Sequence, residues 1–400
     1  MKRFALEKLK EWKKKANRKP LIIRGARQVG KTWLMKEFGR TCFEKVAYVN
    51  FDSNTRMQQV FDGEINIERI ILAISAETGI SIDVKDTLLI FDEVQEVPKA
   101  LSSLKYFCEN APEYAIVAAG SLLGVALHKG TSFPVGKVDF MDLYPLTFQE
   151  FLCALGEERF VNILQGTDTD MVTTFKSKYI DRLREYYYVG GMPEVVQTYV
   201  ETKDFNQVRE IQKNLLNYYQ QDFSKHAETS LVPRLNLVWN SIPMQLAKEN
   251  KKYIYGQVRK GSRAKDFELA IQWLLDCGLI HKVQRAGKAA LPLKAYLDLD
   301  VFKIYLLDVG LLMAMTDMDA QVIIDGNRIF TEFKGALTEQ YVLQQLIALD
   351  HIEPYYYSTA NSSGEIDFLL QGRTSIIPLE VKAEENLRAK SLKAFCEKYK

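Results

Sequence analysis

The chain is 400 residues long, with 47% hydrophobic and 26% charged residues, which is the balance of an ordinary globular protein and exceeds one typical domain. A net charge of +2 excludes a polycation that binds nucleic acid over its whole surface, so any such contact has to be local. Five cysteines and four histidines are scattered with no Cys-x-x-Cys pair, which excludes a disulfide framework and a zinc site, and no apolar run is long enough to span a bilayer. No signal peptide follows Met1, so the expected localisation is cytoplasmic, with no membrane partner.

The N-terminus is basic: Lys2, Arg3, Lys8, Lys10, Lys13, Lys14, Lys15, Arg18 and Lys19 are offset by just two carboxylates, Glu7 and Glu11. Phe4, Leu6, Leu9 and Trp12 recur at roughly helical spacing, predicting an amphipathic helix whose cations are a solvated face or a phosphate contact. Next, the apolar stretch Leu21-Ile22-Ile23 leads into Gly25-Ala26-Arg27-Gln28-Val29-Gly30-Lys31-Thr32, and a helix-like segment runs from Trp33 to Phe38. This is a complete G-x-x-x-x-G-K-[ST] loop in its required setting. A strand delivers it, the glycines permit tight turns, and successive backbone N–H groups can point at a β-phosphate. Gly25 through Thr32 are therefore expected to bind nucleotide. Lys31 would reach the β- and γ-phosphates, and the Thr32 hydroxyl would ligate a magnesium ion bridging them.

A strand expected at 46–51 is followed by Thr87-Leu88-Leu89-Ile90-Phe91-Asp92-Glu93, an apolar run ending abruptly in two carboxylates, the Walker B pattern. Asp92 is expected to hold magnesium through its water shell. Glu93 is placed to orient and polarise an attacking water, so hydrolysis is the expected reaction. A further apolar strand, Tyr114 to Ala119, ends at Gly120-Ser121. Strands alternating with helical patterns make residues 1–150 a parallel α/β domain of P-loop type. No Asn-Lys-x-Asp sequence occurs, which favours ATP over GTP.

Residues 151–290 read as a helical and winged-helix-like region, mainly helical and tyrosine-rich to about 250, with a chain reversal at Gly190-Gly191-Met192-Pro193-Glu194 and aromatic neighbours, Tyr186 to Tyr188, expected to pack. Within this region, 251–285 look like a winged helix, with a helix carrying Phe267, Ile271, Leu274 and Leu275 and ending at Gly278 before a strand at 279–283. Lys251, Lys252, Arg259, Lys260, Arg263 and Lys265 surround that helix; such a unit serves DNA, an ATPase lid or a protein interface.

In residues 291–400, Glu365 to Leu370 and Ser375 to Lys382 read as a hairpin about Gln371-Gly372-Arg373. Glu380 and Lys382 share a strand face, Asp367 can approach the same point, and Glu339 lies on an earlier helix expected from Phe333 to Leu349. Together they resemble the D…(D/E)-x-K core of restriction-endonuclease-like nucleases, where two carboxylates hold magnesium at a scissile phosphate and a lysine assists. The alternatives are a surface hairpin with alternating charges or a fold of this class without activity. Pro378 predicts an edge strand or bulge, and the stop at Lys400, in or just after a helix expected from Ser391, suggests a truncated end.

Nearly the whole chain resembles a family of prokaryotic AAA-type ATPases with a C-terminal domain of unknown function and an endonuclease-like core. The motifs that carry the resemblance are residues 25–32, Asp92-Glu93, Pro134-Val135-Gly136-Lys137-Val138, Pro145-Leu146-Thr147-Phe148, Gly190-Gly191-Met192-Pro193-Glu194 and Glu380-Val381-Lys382. The resemblance implies ATP and Mg2+ as cofactors. It also places Ser121 at a position that reads the γ-phosphate or the lytic water, although a strand-ending serine equally serves as a turn or cap. DNA or another protein is the expected partner. An arginine finger from a neighbouring subunit would imply a homo-oligomer, with Arg259 and Arg263 as donors.

Overall fold

Unbroken aliphatic runs belong in strands covered on both faces. In the computed structural model, which describes residues 1–120, 133–248, 251–324, 331–359, 364–383 and 390–399, they form the middle of a parallel sheet. β1 (Leu21–Arg24), β2 (Lys45–Asn50), β3 (Thr87–Asp92), β4 (Ala115–Ala119) and β5 (Asp139–Asp142) lie in the order β2-β3-β4-β1-β5. Every residue of β3 and β4 is buried, whereas the edge strands β2 and β5 are partly exposed. Because all the pairings are parallel, the carboxyl ends of β1, β3 and β4 share one edge.

Helices α1 (Ala5–Lys14), α2 (Lys31–Cys42), α3 (Thr55–Asp62), α4 (Ile67–Thr78) and α5 (Pro98–Asn110) accompany this sheet. Local chemistry sets their ends. Asn54 and Asn66 accept the backbone N–H groups of Met57 and Arg69 at 3.1 and 3.0 Å, and Pro98 opens α5. Phe51, Phe61, Phe91 and Phe107 pack edge to face beside the sheet, with centroids 5.5 to 6.4 Å apart. α1 buries Leu9 and Trp12, as its spacing predicts, but Arg3 is buried rather than solvated. These elements belong to one compact unit, Lys2–Tyr144 with Asp276–Gly278.

The second unit comprises Pro145–Leu275 and Leu279–Lys400. It begins with α6 (Phe148–Ala154), α7 (Glu158–Gln165), α8 (Thr169–Thr174), α9 (Lys176–Val189), α10 (Pro193–Thr202), α11 (Phe205–His226), α12 (Val232–Leu246), α13 (Tyr255–Val258) and α14 (Ala264–Asp276). β6 (Ile280–Ala286), β7 (Leu297–Leu306), α15 (Val309–Met315), α16 (Ala320–Ile324), α17 (Thr331–Ile347), β8 (Tyr355–Ser358), β9 (Glu365–Gln371), β10 (Ile376–Leu379) and α18 (Lys390–Lys398) follow. The sheet order is β10-β9-β8-β6-β7, with β6 and β8 parallel and the other neighbours antiparallel. The division expected between residues 290 and 291 therefore falls inside one sheet, because β6 pairs with both β7 and β8. Pro378 sits on β10, at the edge, where a missing N–H is tolerated.

A buried polar link anchors the glycine pair of this unit. Gly190 ends α9 with φ 76°, Pro193 opens α10, and a Cβ on Gly191 would lie 2.2 Å from the Leu146 carbonyl oxygen. Asp308 accepts the N–H groups of Gly191 and Leu311 at 2.6 and 3.0 Å, and the Gln344 amide donates to both Asp308 and the Tyr186 hydroxyl at 3.0 Å. Tyr186 donates in turn to the Leu146 carbonyl, so it carries a polar role besides packing. Thr147 then opens α6 with a capping box, exchanging hydrogen bonds with Glu150.

Candidate active site

The loop between β1 and α2 owes its shape to positive backbone angles at Gly25, Gln28 and Gly30, with φ of 147°, 65° and 94°. A Cβ on Gly25 would stand 2.3 Å from the Leu143 carbonyl oxygen, so no other residue fits there. α2 starts at Lys31 with its first N–H groups facing the loop, the arrangement that favours an anion. Arg3 braces the loop from behind, donating to the carbonyls of Val29 and Tyr144 at 3.0 and 2.6 Å.

Lys31 is buried and donates to the carbonyl oxygens of Gly25 and Ala26 at 2.9 and 2.8 Å. Burial pulls its ammonium down to about 8, against the opposing pull of Glu93 and Asp92. Across the sheet edge, the Thr32 hydroxyl donates to Asp92 Oδ2 at 2.7 Å, and the Tyr48 hydroxyl donates to the same oxygen at 2.9 Å. The other Asp92 oxygen accepts the Glu93 N–H at 3.1 Å. Burial, then Asp92, pushes the Tyr48 phenol well up, so it stays a donor. Glu93 turns the chain out of β3 with φ 50°, and its Oε2 accepts from Gln95 Nε2 at 2.6 Å. Lys31, Thr32, Asp92 and Glu93 thus come together. Ser121 lies outside the described residues.

Sequence reasoning passed over Tyr48 and Gln95, and it set Arg3 among the cations of a solvated or phosphate-contacting face rather than behind the loop. Gln95 had a signal, a carboxamide two residues beyond a proposed base. Tyr48 and Arg3 had none, since their roles depend on register and on a contact distant in sequence.

The C-terminal constellation is differently arranged. Glu339 is gripped by Lys251 at 2.5 Å, receives the Tyr305 hydroxyl at 3.1 Å, and lies 3.6 Å from Lys303. Lys303 is fully buried on β7 and also pairs with Glu365. Burial pushes the Glu339 carboxyl up, but Lys303 and Lys251 outweigh it and hold it below the usual carboxylate range. Asp367 accepts the Val381 N–H at 2.7 Å, and burial together with nearby Glu339 raises it to about 7. Glu380 stands past the end of β10, pairs with Lys382 at 2.5 Å and accepts the Leu392 N–H at 3.0 Å. Asp367 therefore meets Glu339 through its charge and the Glu380–Lys382 segment through the Val381 N–H, Glu380 and Lys382 pair with each other, and Lys251 belongs with Glu339 rather than to a solvated basic face. Among the described residues, no three His, Cys, Asp or Glu side chains form a group that could hold a metal ion. Lys303 was signalled by a lone lysine inside the apolar run Val301 to Leu307.

Arg259, Lys260, Arg263 and Lys265 are exposed about the start of α14, which buries Phe267, Ala270, Ile271, Trp273 and Leu274. No helix among the described residues is long and apolar enough to cross a membrane.

Comparison with known proteins places an AAA domain over residues 17–152. Residues 180–322 match a domain of unknown function (DUF8612), and 334–400 match another (DUF4143). Similar solved structures include the Walker-type ATPase paby2304 of Pyrococcus abyssi, at 14% identity and a TM-score of 0.48, covering 78% of this chain and 94% of that one. The Aeropyrum pernix ORC1 protein in complex with DNA is similar at 11% identity and a TM-score of 0.31, covering 78% of this chain and 91% of that one. The Thermotoga maritima RuvB Holliday junction branch migration motor follows at 13% identity and a TM-score of 0.29, covering 69% and 85%. No curated protein matches the chain. The AAA domain implies nucleotide binding and ATPase activity for the first of these segments.

Proposed function

We propose, from an AAA domain over 17–152, that this protein is a magnesium-dependent ATPase that couples ATP binding and hydrolysis to a macromolecular partner, with DNA the first candidate. The observation that carries the reading is the 2.7 Å hydrogen bond from Thr32 to Asp92, which joins the phosphate loop to the end of β3. These two hard oxygen donors fit a magnesium ion that keeps most of its waters, and such an ion would neutralise charge on the β- and γ-oxygens. Lys31 exchanges two carbonyl partners for phosphate oxygens, and the loop N–H groups with the start of α2 hold the β-phosphate. Glu93 takes a proton from the attacking water. A new P–O bond forms as the γ-phosphorus leaves the bridging oxygen, releasing ADP and inorganic phosphate.

The DNA assignment rests on the exposed Arg259, Lys260, Arg263 and Lys265 about a helix in a winged-helix-like segment. The same exposure leaves Arg259 and Arg263 available to a neighbouring subunit in a homo-oligomer. An ATP-regulated nuclease using Glu339, Asp367, Glu380 and Lys382 is disfavoured, because two lysines already neutralise Glu339. The test is the magnesium-dependent ATP hydrolysis rate of the purified protein with and without duplex DNA, with Glu93→Gln as control. Stimulation by DNA supports the coupled ATPase. A low rate indifferent to DNA points to a nucleotide switch acting on another protein, and turnover retained in Glu93→Gln removes Glu93 as the base.

A further inference from the structure

Directly after Glu93 the chain makes one turn of 3-10 helix, Val94–Glu96, which returns the side chain of Gln95 to the carboxylate. Gln95 Nε2 donates to Glu93 Oε2 at 2.6 Å and, more distantly, to Glu96 Oε1 at 3.5 Å. The orientation of the amide is fixed by chemistry, since the reverse would set its oxygen against a carboxylate. Its other end, Oε1, is buried and has no hydrogen-bond partner. An acceptor left this way is costly, and such a group beside a reaction centre calls for an explanation.

The reaction supplies one. An attacking water has two protons, and Glu93 takes only the first. We propose that Gln95 is a water-positioning residue: Oε1 accepts a hydrogen bond from the water's second O–H while Nε2 fixes the rotation of the Glu93 carboxylate. That second proton stays on its oxygen and becomes the hydroxyl of the phosphate product, so the amide neither gains nor loses a proton. The inference rests on Glu93 being the base and adds what holds base and nucleophile in line, the geometric part of the barrier.

The test compares Gln95→Met, which keeps the volume without donor or acceptor, and Gln95→Asn, whose shorter stem cannot span both partners, with Glu93→Gln in the full chain. Magnesium–ATP turnover and nucleotide affinity are measured for each. The expected result is a kcat roughly 10- to 100-fold lower in the Gln95 variants, with KM and ATP affinity within about twofold of the parent. A parental kcat in both variants, or a KM that moves with kcat, overturns the proposal. Glu93→Gln separates the two claims: if it still turns over, the reading of Glu93 fails, whereas an inactive Glu93→Gln beside fully active Gln95 variants sinks only the role of Gln95.

Discussion

Two charge clusters in this protein use the same kinds of side chain and reach opposite states. At the parallel-sheet edge, Lys31 is held by two carbonyl oxygens, and burial drags its ammonium down to about 8. In the mixed-sheet unit, Glu339 is held by two ammonium groups, which keep it ionised in spite of burial. A buried charge resting on neutral dipoles gains when a counter-charge arrives, and a buried charge already paired does not. The first cluster is therefore built to receive an anion and the second is complete as it stands.

The largest effect should come from breaking the first cluster. Lys31→Ala removes charge-assisted hydrogen bonds to phosphate worth about 1.5–3 kcal/mol each, so ATP affinity should fall by roughly 100-fold or more in a calorimetric titration. Unchanged affinity would sink the loop assignment. The matching change in the second cluster is Lys303→Met, which takes the cation from Glu365 and leaves Glu339 with Lys251 as its one ammonium partner. It should lower folding stability by about 3–5 kcal/mol in urea unfolding. ATP affinity should hardly change as long as the chain is folded. If Lys303→Met weakens ATP binding as much as Lys31→Ala does, the contrast between the clusters is wrong.

The sequence announced these clusters unequally, for physical reasons. The phosphate loop and the Asp92-Glu93 ending are local, since consecutive residues must make the turn and the strand terminus, and their order could be read directly. The sheet order that sets β4 between β1 and β3 was not legible, because register and crossover depend on contacts distant in sequence. Glu339, Asp367, Glu380 and Lys382 were read as one site from residue type and spacing. Lys251 and Lys303, which decide the state of that site, come from segments far away in the chain. The glycine pair at 190–191 was legible as a reversal but not as a receptor for Asp308, whose carboxylate arrives from 117 residues further on.

A smaller effect tests the second cluster by pH. Asp367 is raised from 3.8 to about 7 by burial, then by Glu339. The folded state therefore binds the extra proton between those values, so this group's contribution is present at low pH and is lost as pH rises toward about 7. Asp367→Asn should remove that slope and make the protein more stable above neutrality by on the order of a few kcal/mol. Denaturant midpoints at pH 5 and pH 8 measure it. Equal slopes in parent and variant would mean that Asp367 is not held neutral by its surroundings.

The smallest effect separates the clusters most finely. Lys31 is lowered from 10.5 to about 8, so between those values the unfolded chain binds the extra proton, and this group's contribution to stability rises with pH. Ligand binding has the opposite sign. Phosphate favours the ammonium and raises its pKa, so ATP affinity should be greatest below about 8 and decline above it, by at most about tenfold per pH unit. Lys31→Arg supplies a cation that does not titrate in this range, so its affinity, whatever its absolute value, should be flatter with pH. Measuring ATP affinity at pH 7, 8 and 9 for parent and Lys31→Arg compares the two slopes directly. Parallel slopes would show that the loss arises elsewhere, and the claim that Lys31 waits on carbonyls for an anion would lose its support.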